Sequence, residues 1–247
     1  MTTFTKLRLS RICMILIVLS VSFMLYIRNY AAVSGTVFCL ADLYMVYVSD
    51  WCQALLLLPI FFMILTHMLS FEERIAVYVL RSSRKKIWML RMLFVLKTGF
   101  FYLLILYIVT AILGLTAGIS LCNWNTLDSM GYMMNAGQPL ESLSLWQIVP
   151  GCILVNLCTI YFWGGCFLIF QWMWQKKVLS WILCTVLEFL LLLTPLWKTV
   201  FSINYMNWRT ISWLYTTVTF CAVFLAFMML LGIIISKRKD FLDAVSI

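Results

Sequence analysis

The chain has 247 residues, of which 64% are hydrophobic and only 11% charged. A soluble domain is roughly half apolar and about a quarter charged, so the composition excludes an ordinary soluble fold and indicates an integral membrane protein. The net charge of +9 accompanies no nucleic-acid motif, and its placement answers to membrane topology, so no nucleic-acid partner is expected.

In chain order, Met1 to Arg11 interleaves Phe4, Leu7 and Leu9 with Lys6, Arg8 and Arg11, as a brief segment on a membrane surface does. Residues 12–27 are uncharged and end at Arg28. With Ala32-Val33-Ser34 behind it, this run also has the layout of a secretory signal; an uncleaved first span with Arg28 snorkelling outward is the reading taken. Residues 51–70 form the second span, with Pro59 and the only histidine, His67. The third, 98–121, has no charge. The fourth, 146–175, exceeds the roughly 20 residues needed to cross, so it tilts, breaks near Pro150-Gly151, or protrudes. The fifth, 178–197, carries Glu188 and ends around Pro195; the sixth, 211–236, is closed off by Lys237-Arg238-Lys239. The expectation is an all-α polytopic membrane protein of six transmembrane helices in one domain spanning residues 1–247.

Charge fixes the expected orientation. The two termini, the 71–97 connection and Lys176-Lys177 hold 15 of the 18 basic residues, leaving Arg28, Lys198 and Arg209 on the other face. By the positive-inside rule both termini are cytoplasmic. The outer segments, Arg28–Asp50 and Cys122–Leu145, carry Asp42, Asp50, Asp128 and Glu141 and are too small for a separate domain. Residues 198–210, KTVFSINYMNWRT, have the size and aromatic content of a hairpin at the outer interface. Trp51, Trp146, Trp172, Trp174, Trp197, Trp208 and Trp213 fall at span ends, as interfacial belts do. Gly164-Gly165 would let another helix approach closely.

Little here supports enzymatic chemistry. A zinc protease needs HExxH, and the chain has one histidine. No Gly-x-Ser-x-Gly elbow occurs. Glu72-Glu73 precedes Arg74, but Val77 stands where a prenyl-peptidase pattern wants arginine, and no histidine follows His67. No GxxxxGK[ST] loop is present to cradle ATP phosphates. We therefore expect no catalytic residue, metal or cofactor on this chain. The nine cysteines form no CxxC pair and read as small packing residues. Cys39 and Cys122 both fall in outer segments, which leaves one disulfide open. His67 reads either as a pH-sensitive group or as an interfacial residue bonded to a helix neighbour. Glu188 lies ten residues after Val178, about 15 Å along a helix and so near mid-membrane. A carboxyl there is a contact for a cationic substrate, a proton relay, or a protonated group hydrogen-bonded to a neighbouring span.

The stretch 71–97, FEERIAVYVLRSSRKKIWMLRMLFVLK, holds Arg74, Arg81, Arg84, Lys85, Lys86, Arg91 and Lys97. Each charge would cost about 2.5–3.5 kcal/mol at mid-membrane, so the stretch belongs on a water-facing side. Arg74 and Arg81 are two helical turns apart, as are Arg84 and Arg91, and Arg81-Ser82-Ser83-Arg84 reads as a turn from which a serine caps the next helix. A juxtamembrane patch for anionic lipid fits the same residues. Phe71-Glu72-Glu73, then Ser83-Arg84, then Arg91 seven positions on, resemble in order the segment after the second span in ABC-2 type ABC transporter permeases. The departures are Ser82 or Arg81 where proline is usual, and Ile75-Ala76 in place of Gly-Thr.

The resemblance implies a coupling helix bearing Glu72, Glu73, Arg74, Arg81, Ser83, Arg84 and Arg91, seated on a separate cytoplasmic ATPase dimer that binds ATP and Mg. It also implies a second permease copy or a sister permease in a bacterial cytoplasmic membrane. The compact size looks most like small lantibiotic or bacitracin immunity permeases, with an antimicrobial peptide or another amphipathic compound as cargo. The other classes weighed are a non-transporting scaffold or sensor partner and an ion-coupled transporter.

Overall fold

Long uncharged runs leave the backbone no solvent to bond with in hydrocarbon, so they satisfy their own amides as helices. The computed structural model describes residues 3–72, 84–140, 143–174, 176–195, 203–209 and 212–238, and among them no strand forms beyond one isolated bridge between Val37 and Ser129. The helices are α1 (Thr3–Ser34), α2 (Leu40–Tyr47), α3 (Asp50–Cys52), α4 (Leu58–Glu72), α5 (Arg84–Thr116), α6 (Met130–Met134), α7 (Leu145–Trp174), α8 (Lys177–Leu191) and α9 (Ser212–Arg238). A π-helical turn, Gln53–Leu57, joins α3 to α4, and a 3₁₀ turn covers Tyr205–Arg209.

Among the described residues five segments are long and apolar enough to cross a membrane: Met14–Ser34, Asp50–Leu69, Lys85–Thr116, Leu145–Trp174 and Ser212–Ile234. The chain is thus an all-helical protein built as a polytopic membrane protein is. The expected fifth span differs. Its helix, α8, has 15 residues, about 22 Å at 1.5 Å per residue, short of the roughly 30 Å hydrocarbon core. The fourth runs unbroken through Pro150, which sits early in α7. The third is displaced toward its basic end, for α5 begins at Arg84 and stops at Thr116.

Glycines set two of these ends. Gly35 has φ +68° and Thr36 N–H reaches back to the Ala31 carbonyl at 3.0 Å; Gly118 has φ +70° and Ile119 N–H reaches Gly114 at 3.0 Å. Both are left-handed stops in which the amide just after the glycine closes onto the last turn of the helix.

α5 is the central element, packed against α1, α2, α4, α7 and α9. The expected close approach at Gly164-Gly165 is present: a Cβ on Gly164 would strike Val95, and one on Gly165 would lie 2.9 Å from Met228 Cε. Gly232 on α9 is tighter still, its face filled by the Trp88 indole. Trp88 is fully buried and meets Trp172 edge-on, with centroids 4.9 Å apart. Gly232→Val should therefore lower stability by about 1–3 kcal/mol, the usual range for overpacking; an unchanged melting temperature in detergent would contradict this packing.

The tryptophan belt is corrected in part. Trp51 and Trp146 are well exposed, at 62% and 89%, as interfacial anchors are. Trp172 is buried and Trp208 packs inward on Trp124 and Trp213. Trp197 lies outside the described residues.

Candidate functional site

The segment expected as an outer loop, Arg28–Asp50, holds the densest polar chemistry. After Gly35, Val37 N–H bonds Asp128 O and Met130 N–H bonds Val37 O, so the chain turns inward and α2 starts beneath the surface. Cys39 is its N-cap in extended conformation, and Asp42, three residues on, accepts the Cys39 N–H at 2.8 Å. An acid at that position satisfies an orphan donor and sits at the positive end of the helix dipole. Asp42 is wholly buried. Its other oxygen accepts the Trp124 indole N–H and the Tyr205 hydroxyl, each at 2.8 Å. One carboxyl thus joins α2, the segment after α5 and the 3₁₀ turn. Burial pushes its pKa above the ordinary 3.8, against the pull of these three donors. Trp124 packs on Tyr205 with centroids 5.1 Å apart, and Trp208 donates its indole N–H to Met45 Sδ at 3.2 Å. Gly131 carries no side chain because Trp124 fills the place of its Cβ.

Below this cap runs a buried polar layer. Gln53 Nε2 donates to Asn156 Oδ1 at 3.0 Å, and Asn156 Nδ2 donates to the Tyr107 hydroxyl at 2.9 Å. Tyr107 stacks on Tyr44 at 4.9 Å. The Tyr47 and Thr110 hydroxyls are 2.6 Å apart, and Thr110 donates to Ser20 at 3.1 Å. These groups come from α1, α2, the π turn, α5 and α7. Being mutually satisfied, they fix helix register and leave little for a ligand.

The π turn has a local cause. Pro59 lacks an N–H and its ring would clash with the carbonyl four residues before it, so the helix widens by one residue ahead of it. Leu58 N–H accordingly bonds Gln53 O, and the Tyr102 hydroxyl donates to Leu57 O at 3.1 Å.

Glu188 stands outside this satisfaction. On α8, which packs against α7, α4 and the π turn, it has no exposed surface, and neither carboxyl oxygen has a hydrogen-bond partner. Its chain neighbour Phe189 meets Trp51 edge-on at 6.0 Å.

Between α1 and the stretch 46–60 lies a lateral groove of about 610 Å³, lined by Met14, Val18, Phe23, Tyr26, Trp51 and Leu55 among others. Its two serines are bonded within their own segments, Ser22 to Val18 O at 2.8 Å and Ser49 to Val46 O at 2.7 Å. The groove presents hydrocarbon and little else, within the size range of small-molecule sites.

The residues expected to couple to a partner are placed in part. Glu72 ends α4, and Arg84 and Arg91 lie two turns apart on α5. Arg91 is half-buried with its guanidinium 5.9 Å from the Trp172 ring centroid. Glu73, Arg74, Arg81 and Ser83 lie outside the described residues. His67 is exposed on α4. Among the described residues no three metal-ligating side chains gather. Sequence reading named Asp42 only as an outer-loop charge; the signal that marks its place is Cys39-Leu-Ala-Asp42, an N-cap followed by an acid three residues on. No family model, curated protein or solved structure matches the chain.

Proposed function

We propose that this protein is the membrane subunit of an ATP-driven exporter of the ABC-2 permease type, powered by a separate cytoplasmic ATPase dimer that binds ATP and Mg. The observation that carries the reading is α5. It runs unbroken for 33 residues from Arg84 to Thr116, about 50 Å, and so is longer than a bilayer core is thick. Its basic end stands where a water-soluble motor would push, and its apolar length touches α1, α2, α4, α7 and α9. Trp88 and Arg91, one and two turns in from that end, are wedged against Gly232 and Trp172. A push there reaches α7 and α9 directly.

The apolar groove suits the hydrocarbon part of an amphipathic compound or peptide, and a second permease copy or a sister chain completes the translocation path. The setting is a bacterial cytoplasmic membrane; the basic residues at both termini favour placing both inside, which needs α8 to make a sixth passage through a locally thinned bilayer.

Purification in mild detergent should bring a Walker-motif ATPase with the chain. Joint charge reversal of Arg81, Arg84 and Arg91 should then leave insertion intact while substrate-stimulated ATP hydrolysis falls by an order of magnitude or more, the scale of a lost charge-complementary contact. Purification without any ATPase in every nucleotide state, or unaltered stimulation in the reversed variant, sinks the assignment.

A further inference from the structure

Two cysteines expected only as outer-segment residues are held together by the backbone around them. Leu40 N–H donates to Ser120 O at 2.9 Å and Ala41 N–H donates to Leu121 O at 3.2 Å. This pairing seats the N-cap of α2 on the segment that leaves α5, and it brings Cys39 beside Cys122. Asn123 Nδ2 also donates to Val37 O at 3.1 Å, so Cys39 and Cys122 lie between bonded neighbours on both sides, and both thiols are free. They differ in setting, since Cys39 is wholly buried and Cys122 is half-buried.

We infer that Cys39 and Cys122 form an oxidisable dithiol whose disulfide fastens the N-terminus of α2 to the segment following α5. The two partners have distinct parts. The neighbouring Cys39 thiol holds the Cys122 pKa below the ordinary thiol range, while the Cys122 contact and burial push that of Cys39 up. Cys122, the solvent-accessible thiol of the two, is therefore the attacking sulfur and the buried Cys39 the resolving one.

The oxidant is a disulfide, of a thiol-oxidase or of a small molecule such as oxidised glutathione. The Cys122 thiolate attacks one of its sulfurs, a mixed disulfide forms, and one thiolate leaves. Cys39 then loses its proton to solvent and attacks the Cys122 sulfur, expelling the second thiolate. The protein gives up two electrons and two protons in all, and the oxidant is reduced to two thiols. The product closes a loop that contains α2, α3, α4 and α5, and it pins Cys39, whose N–H holds Asp42. A second pair of cysteines, Cys158 and Cys221, lines a groove between α7 and α9 inside the apolar spans and lacks this access to a water-borne oxidant.

The test is peptide mapping of the purified full chain after oxidised glutathione at pH 7, without reduction. The expected result is a cross-linked peptide joining Cys39 to Cys122, absent after a reductant, with Cys158 and Cys221 still alkylable. Cys39→Ser should instead accumulate glutathione on Cys122, whereas Cys122→Ser should leave Cys39 unmodified. Two free, fully alkylated thiols at Cys39 and Cys122 in oxidised wild-type protein would overturn the inference. So would glutathione found preferentially on Cys39 in the Cys122→Ser variant, since that reverses the assigned order. The wild-type map does not depend on either variant folding.

Discussion

Asp42→Ala is expected to lower the unfolding free energy by about 3–5 kcal/mol, because it strands three donors inside the protein at once. The Cys39 amide, the Trp124 indole and the Tyr205 hydroxyl all point at this one carboxyl. Truncation leaves each without an acceptor, and no water replaces it at a site with no exposed surface. Asp42→Asn is the informative comparison. Its remaining oxygen can still take Trp124 and Tyr205, but its amide then faces the Cys39 N–H, donor against donor. The cost should be smaller, about 1–3 kcal/mol, the usual range for one orphaned buried group. Unfolding in detergent, followed by tryptophan fluorescence or scanning calorimetry, reads both. An Asp42→Ala protein within 1 kcal/mol of the wild type would mean that the outer cap does not organise the fold.

The same carboxyl gives a pH dependence whose sign follows from its burial. The folded pKa is raised above 3.8 chiefly by desolvation. Between 3.8 and the folded value the native protein therefore binds more protons than the unfolded chain. Unfolding free energy from this group is greatest below 3.8, falls as pH rises through that window, and is level above the folded value. The slope should vanish in Asp42→Asn, and a slope of opposite sign in the wild type would contradict the burial argument.

The contrast between α5 and α2 explains what sequence could disclose. The apolar length of α5, its basic start and its lack of proline are all local properties, so the helix is visible in one dimension. Hydropathy sets its end at Leu121, five residues late, because it runs on past Thr116 while the Gly118 stop depends on a positive φ that only glycine adopts cheaply. α2 is the opposite case. Leu40–Tyr47 is eight residues long, too short to register as a span, and one acid makes it look like a loop. What buries it is Trp124, 82 residues away, and Tyr205, 163 residues away. Neither is a property of the segment itself. Gln53 and Asn156 were invisible for the same reason, as each is an isolated amide in an apolar run whose partner lies on another helix. Glu188 was legible because a carboxyl within an apolar run is anomalous whatever surrounds it.

That anomaly has a measurable consequence. Glu188→Leu should raise the unfolding free energy by about 1–3 kcal/mol, since it replaces a buried, unbonded carboxyl with an apolar side chain of similar reach. Glu188→Gln should yield no such gain, because the amide brings its own unsatisfied donors to the same place. Both variants keep the packing of α8 on α7, α4 and the π turn. The two therefore separate the energetic role of Glu188 from its chemical one. A fold that satisfies Gln53, Asn156, Tyr107, Thr110 and Ser20 among themselves has the means to satisfy one more polar group. Leaving Glu188 bare costs stability that selection removes unless activity needs it. On the proposed export function, transport reconstituted in vesicles with the partner ATPase should accordingly fall on the order of tenfold or more in both variants, the loss of one contact worth about 1.4 kcal/mol or above. Full export by a more stable Glu188→Leu protein would show that the carboxyl has no part in transport, and an unchanged or lowered stability would show that it is not unpartnered after all.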